Sequence, residues 1–190
     1  MSELVLKREI VVDKTFCRII ALGSFIIMIA LGSFVRIPLF FTPVPLTLQT
    51  FFVLLAGAFL GTRLGALSQL GYMLIGVAGI PVFSGAQAGL FYLFGPTGGY
   101  LFGFLLAAIF IGQFIRASSK SFLSVFCLLF AGDLIILFCG AAYLGFLTKL
   151  SFTQVLFQGV FPFLAGDLLK TSAAAGVFWK FKNRAREILD

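Results

Sequence analysis

"LTLQTFFVLLAGAFLGTRLGALSQLGYMLIGVAG", Leu46 to Gly79, carries a single charged side chain, Arg63, in 34 residues. Two apolar runs, Leu46–Leu60 and Leu64–Gly79, flank the "GTR" of Gly61 to Arg63. At a rise of about 1.5 Å per residue each run is a short helix, so the pair reads either as two membrane spans or as one re-entrant hairpin dipping in from one side. A re-entrant hairpin holds Arg63 at membrane depth, where an unpartnered charge costs at least about 2.5 kcal/mol; two spans return it to a water interface. Two spans are therefore the expectation.

Four further runs of the same character surround this stretch, at about Phe16–Val35, Gly98–Ile115, Phe122–Phe146 and Val155–Phe178. Hydrophobic residues make up 61% of the chain, charged residues 11%, and the mean hydropathy is +1.12. A soluble domain carries about 25% charged residues, so folding alone cannot hide this much apolar surface and the solvent is lipid. The runs are unbroken, whereas a membrane barrel alternates apolar and polar residues, which excludes β-spans. The first run is too long for the apolar region of a secretory signal and no A-x-A site follows it. The expected fold is all-α: a polytopic bundle of six transmembrane helices in the cell (cytoplasmic) membrane. It forms a single integral membrane domain over residues 1–190 with short tails at about 1–14 and 180–190.

Basic residues sort by side. Lys7, Arg8, Lys14 and Arg18 precede the first span, Arg63 lies between the second and third, Arg116 and Lys120 between the fourth and fifth, and Lys180, Lys182, Arg184 and Arg186 follow the sixth. Only Arg36 and Lys149 fall on the other side. Such asymmetry places both termini in the cytoplasm and accounts for the net charge of +7 without a nucleic-acid partner. The chain has no histidine, and Cys17, Cys127 and Cys139 form no C-x-x-C pair, so neither zinc nor haem is expected, nor any other cofactor. "GPTGGY", Gly95 to Tyr100, lacks the lysine of a phosphate-binding loop and the residue order of a potassium filter.

Within the spans only three charges remain, Asp133, Asp167 and Lys170. Three residues apart on a helix, Asp167 and Lys170 share a face and neutralise one another. Such a pair either locks helices together or waits for a ligand with donors and acceptors of its own. Pro162 and Gly166, just before it, point to a bent and open-faced stretch. Asp133 has no base near it in sequence; it is protonated, a second ligand contact, or a partner of Lys170 across helices. Gly79 to Tyr100, rich in glycine and aromatics and free of charge, suits a cover over an apolar ligand. Phe83, Phe91, Tyr92 and Tyr100 are candidates to sandwich a ring, against membrane packing as the plainer role. Gln49, one turn inside the second span, serves as an interhelical hydrogen-bond partner or a ligand contact.

Three blocks in order, "VPLTLQTFFVLLAGAFLGTRLGALSQLGYMLIGVAGIPVFSG", "GPTGGYLFGF" and "FPFLAGDLLK", resemble the BioY family of biotin transporters, the substrate-binding S components of energy-coupling factor (ECF) transporters. The resemblance covers roughly Pro45 to Ala175. It implies a six-helix protein that takes biotin from outside with high affinity, with the acid and base of its G-D-x-x-K block, here Asp167 and Lys170, on the polar ring. By position the loop Gly79 to Gly85 contributes, and Ser84, Gln87, Tyr100 and Gln49 complete the candidate set. It further implies as partners a membrane coupling protein and two cytosolic ATPases besides membrane lipid; no residue handles a nucleotide, and no enzymatic activity is expected. A homo-oligomer, and operation without the ATPases, stay open.

Two departures from the pattern stand out. Some relatives carry an amide where this chain has Gly85, and relatives tend to carry alanines four apart in the first helix, where here Phe25 follows Ala21. The competing functions are a proton-coupled secondary carrier with Asp133 and Asp167 as relay, and an S component for another vitamin such as riboflavin or thiamin. An intramembrane enzyme is the weakest alternative, for want of histidines or paired acids.

Overall fold

The computed structural model describes residues 14–189. Lys7 and Arg8, counted above for orientation, and most of the amino-terminal tail lie outside the described residues. The elements are α1 (Lys14–Phe34), β1 (Arg36–Ile37), β2 (Leu46–Thr47), α2 (Gln49–Val77), α3 (Leu90–Leu93), α4 (Gly98–Ser118), α5 (Phe122–Thr148), α6 (Phe152–Gly159) and α7 (Phe161–Leu189). Five stretches are helical, long and apolar enough to cross a membrane, and α2 is one of them.

Continuity of α2 is only nominal. Gly61 has φ 73° and ψ −171°, a conformation open almost exclusively to glycine. Gln49 Nε2 donates to the Tyr72 hydroxyl at 2.7 Å, although a straight helix would hold residues 23 apart at about 34 Å. A Cβ on Gly65 would stand 3.3 Å from the Ala56 carbonyl oxygen and from the Gly57 Cα, so small residues let the two arms touch. The chain therefore folds back on itself at Gly61, giving arms 49–60 and 62–77.

The level of that turn decides between the two readings of the opening stretch. Gly61 and Arg63 line one cavity with Arg18 near the start of α1, Arg116 in the last turn of α4 and Lys182 late in α7. The turn thus reaches the end of the bundle where those helices begin and finish, and both arms are true spans. Arms of 12 and 16 residues measure about 18 and 24 Å, short of a hydrocarbon core of about 30 Å. At their far end the antiparallel β1–β2 ribbon and the 78–97 connection fill the space left over.

Helix α4 packs against both α2 and α5. A side chain on Gly112 would run into the backbone of Gly61 and Thr62, and one on Gly103 would meet Ile136 Cα at 2.9 Å, so glycines set both approaches. Outside, Phe16, Ile19, Ile20, Ile27 and Leu31 of α1 and Leu123, Phe138 and Phe146 of α5 lie exposed, an apolar belt that suits lipid and not water.

The sixth expected segment begins differently from its sequence reading. Val155–Phe178 is not one bent span: α6 is a separate helix capped at Ser151, whose hydroxyl accepts from Gln154 N while the Gln154 side chain accepts from Ser151 N. The chain breaks at Val160, and Pro162 stands in the first turn of α7, where its missing N–H has no helical partner to lose. It starts a helix instead of kinking one.

Candidate functional site

Asp167 and Lys170 stand in the second and third turns of α7, reached from the ribbon end of the bundle. A Cβ on Gly166 would be 2.9 Å from Leu46 Cδ1, so the glycine lets β2 lie against α7. That contact delivers two acceptors to the lysine. Lys170 Nζ donates to the Thr47 carbonyl at 3.1 Å and to Thr50 Oγ1 at 2.6 Å, and it pairs with Asp167 Oδ1 at 2.5 Å. An ammonium group has three N–H donors, and all three are engaged.

The acid is in the opposite condition. Asp167 is buried, and among the described residues only Lys170 reaches its carboxylate, which has about four lone-pair sites. Its unused capacity faces a cavity of about 50 Å³ walled by Thr47, Gln49, Thr50, Ser84, Tyr92, Thr97 and Tyr100, with Leu101, Phe104, Ile136, Leu137 and Phe163 as the apolar part. The Ser84 hydroxyl is buried beside the Tyr92 phenol without a well-formed hydrogen bond, a second polar group with capacity to spare at the same place.

Above it opens an outer cavity of about 390 Å³, lined by Arg36, Pro43, Gln87, Ala88, Phe91, Gly95 and Pro96. Pro45, Ser84, Tyr92 and Thr97 border both spaces, so they form the wall between inner and outer compartments. Burial raises the Tyr92 phenol above its ordinary range, which keeps it a neutral hydroxyl in that wall.

The Gly79 to Tyr100 cover is docked onto the helices. The Val82 carbonyl accepts from Ser33 Oγ at 2.7 Å and from the Tyr72 hydroxyl at 3.1 Å, and Gln49 holds Tyr72 from below. Phe83 is fully buried over Gly76, stacks on Tyr92 with ring centres 4.6 Å apart, and meets Tyr72 edge-on. Its backbone pairs with Gln87 across a tight turn.

The structure therefore brings Asp167, Lys170, Gln49, Ser84 and Tyr100 to one inner cavity and sets Gln87 in the outer one. Gly79, in the turn after α2, and Gly85, in the turn between Phe83 and Gln87, line neither. Tyr100 belongs to the first turn of α4 and donates its hydroxyl to the Gly159 carbonyl at 2.8 Å, closing the α6–α7 break from the side. Asp133 is buried one turn below Ile136 and Leu137, and neither of its oxygens has a hydrogen-bond partner, so it does not meet Lys170 directly. Thr47, Thr50, Thr97 and Phe163 escaped the sequence reading. "TPVPLTLQT" holds the first two, but a lone threonine in a span carries no signal of its own.

Another cavity, about 430 Å³, lies at the opposite end among Arg18, Arg63, Arg116 and Lys182. It contains no buried acid, whereas the inner cavity combines apolar walls with convergent buried polar groups, the usual make-up of a small-molecule site.

Known proteins resemble the chain in sequence and in fold. The BioY family profile matches residues 7–187. The chain is 38% identical to the biotin transporter BioY of Thermotoga maritima over 165 residues, 87% of this chain and 95% of that protein. It is 41% identical over 132 residues to a probable biotin transporter BioY of Pyrococcus horikoshii, covering 70% and 76% of the two chains. Its fold matches the crystal structure of the S-component for biotin from an ECF-type ABC transporter with a TM-score of 0.82. That match spans 87% of this chain and 90% of the other at 24% identity.

Proposed function

The chain belongs to the BioY family, and from that premise we propose that it binds biotin at the Asp167 cavity as the substrate-binding S component of an ECF transporter. Biotin offers two ureido N–H donors, one ureido carbonyl, an apolar thiophane ring and a valerate carboxylate. The single observation that carries the assignment is the unspent carboxylate of Asp167, pinned by a lysine whose own donors are all taken and facing a partly apolar cavity.

The roles of the pair are then unequal. Asp167 accepts from a ureido N–H, a charge-assisted bond strengthened by the dry surroundings. Lys170 pairs with that carboxylate and orients it, and Thr47 and Thr50 fix the lysine. The Ser84 hydroxyl is free to donate to the ureido carbonyl, and Tyr92, Tyr100 and Phe163 supply the faces against which the bicycle packs. Gln49 acts first through Tyr72 and the cover, and Gln87 from the outer compartment. An inner space of about 50 Å³ admits the bicycle only when the wall of Ser84, Tyr92 and Thr97 gives way toward the outer cavity.

Both termini lie in the cytoplasm in this reading, as the distribution of basic residues requires, and the cover faces outward where the vitamin arrives. Binding alone does not drive uptake, and the energy comes from a membrane coupling protein and two cytosolic ATPases; the chain itself performs no catalysis. Titration of the detergent-purified protein with biotin, riboflavin and thiamin tests the assignment. Saturable binding of biotin alone is expected, and binding of another vitamin in its place would overturn it.

A further inference from the structure

The outer cavity has a single cation in its lining, Arg36. Arg36 begins β1 and is paired with Thr47, the residue whose carbonyl holds Lys170, so mouth and floor of the site share one two-residue ribbon. Its guanidinium lies on the backbone of Gly85, where a Cβ would overlap Nη1, and Gly85 has φ +83° besides. A side chain at Gly85 would be strained by that φ and would have to push the flexible end of the arginine aside, so the glycine leaves the space to the guanidinium.

Among the described residues nothing neutralises this charge. Among the described residues no hydrogen bond or ion pair engages the Arg36 side chain. The acids described are Asp133, buried in α5, Asp167, committed to Lys170, and Glu187, in the last turn of α7 at the far end of the bundle. An unpaired guanidinium presents up to five N–H donors in a fork that matches a carboxylate.

Lys170 cannot take that part without releasing Asp167, Thr47 or Thr50. A ligand carboxylate at the floor would also sit against the Asp167 carboxylate, and two like charges at one site repel. Both facts drive an anionic tail away from the floor. The way out runs between Ser84, Tyr92 and Thr97, the wall shared by the two cavities, and ends at Arg36.

Resting on the biotin reading, we propose that Arg36 is the carboxylate-binding residue of the site: the ureido ring lies at Asp167, the valerate chain crosses the shared wall, and its carboxylate pairs with the guanidinium over Gly85. Arg36 then closes the mouth behind the ligand and sets a preference for acids over neutral analogues.

The test compares biotin with biotinamide, which keeps the bicycle and replaces the carboxylate by a neutral amide, on the purified full-length protein. Wild type should bind biotin about tenfold more tightly than biotinamide, and Arg36→Gln should lose about that factor for biotin while biotinamide affinity stays within about twofold. Unchanged biotinamide binding also shows that the variant is folded. In wild type the preference for biotin should narrow as sodium chloride is raised, because a pair at the mouth is screened, and this needs no variant. A ratio that neither Arg36→Gln nor salt alters would overturn the role of Arg36 while leaving biotin binding intact. A wild type that binds neither compound would overturn the biotin reading and this inference with it.

Discussion

Lys170 and Asp167 form a buried ion pair in which the lysine is saturated and the acid is not: Nζ also reaches Thr50 Oγ1 at 2.6 Å and the Thr47 carbonyl at 3.1 Å, while the carboxylate has no second partner among the described residues. This inequality separates binding from stability. Asp167→Asn should cut biotin affinity by about tenfold or more, because a hydrogen bond to a charged group is worth roughly 1.5–3 kcal/mol. Lys170→Met should destabilise the protein by about 3–5 kcal/mol by leaving a buried carboxylate unpaired. The double variant should recover much of the melting temperature and none of the affinity. Calorimetric titration with thermal unfolding in detergent reads both, and wild-type biotin affinity in Asp167→Asn would refute the site.

The fold-back at Gly61 makes a prediction of opposite sign to that for an ordinary helix. In a straight helix Gly→Ala stabilises by about 1 kcal/mol. Here a Cβ would meet nothing within 4 Å, so no clash intervenes and only the backbone conformation matters. Gly61→Ala should therefore destabilise by about 1–3 kcal/mol, the strain of that conformation in a residue with a side chain. A higher melting temperature would mean that α2 is a continuous rod.

The fate of "GTR" shows how far the sequence could be read. Charge in oil is costly, so Arg63 pointed to an interface and Asp167 with Lys170 to a site, each from residue type and spacing alone. The sharpness of the turn was not legible, because it depends on Gly57 and Gly65 meeting across the arms and not on any local signal. For the same reason Thr47 and Thr50 stayed hidden: they meet Lys170 across 123 and 120 residues of sequence. Pro162 misled in a different way, since a proline looks alike at a kink and at a helix start, and the missing information was the break at Val160, where α6 ends and α7 begins.

Tyr72 ties the cover to the bundle, accepting from Gln49 Nε2 at 2.7 Å and donating to the Val82 carbonyl at 3.1 Å. Tyr72→Phe keeps the ring against Phe83 and removes both bonds. The expected loss is about 1–3 kcal/mol, localised to the cover and not to the helices. Hydrogen exchange should accelerate at the amides of Phe83 and Gln87, which now pair with each other's carbonyls, while α4 and α5 stay protected. Uniform acceleration across the bundle would show that the tyrosine supports the whole fold instead.

The distribution of basic residues predicts the orientation, and labelling checks it. Thr153 is exposed in α6 at the ribbon end, and Ala117 is exposed in the last turn of α4 at the end where Arg18, Arg63 and Lys182 gather. In a background with Cys17, Cys127 and Cys139 replaced by serine, Thr153→Cys on intact cells should react with a membrane-impermeant maleimide, and Ala117→Cys should react only after lysis. Neither substitution alters a basic residue, so neither changes the charge asymmetry that sets topology. The reverse pattern would put the Asp167 cavity on the cytoplasmic side, where it would have no access to a vitamin arriving from outside.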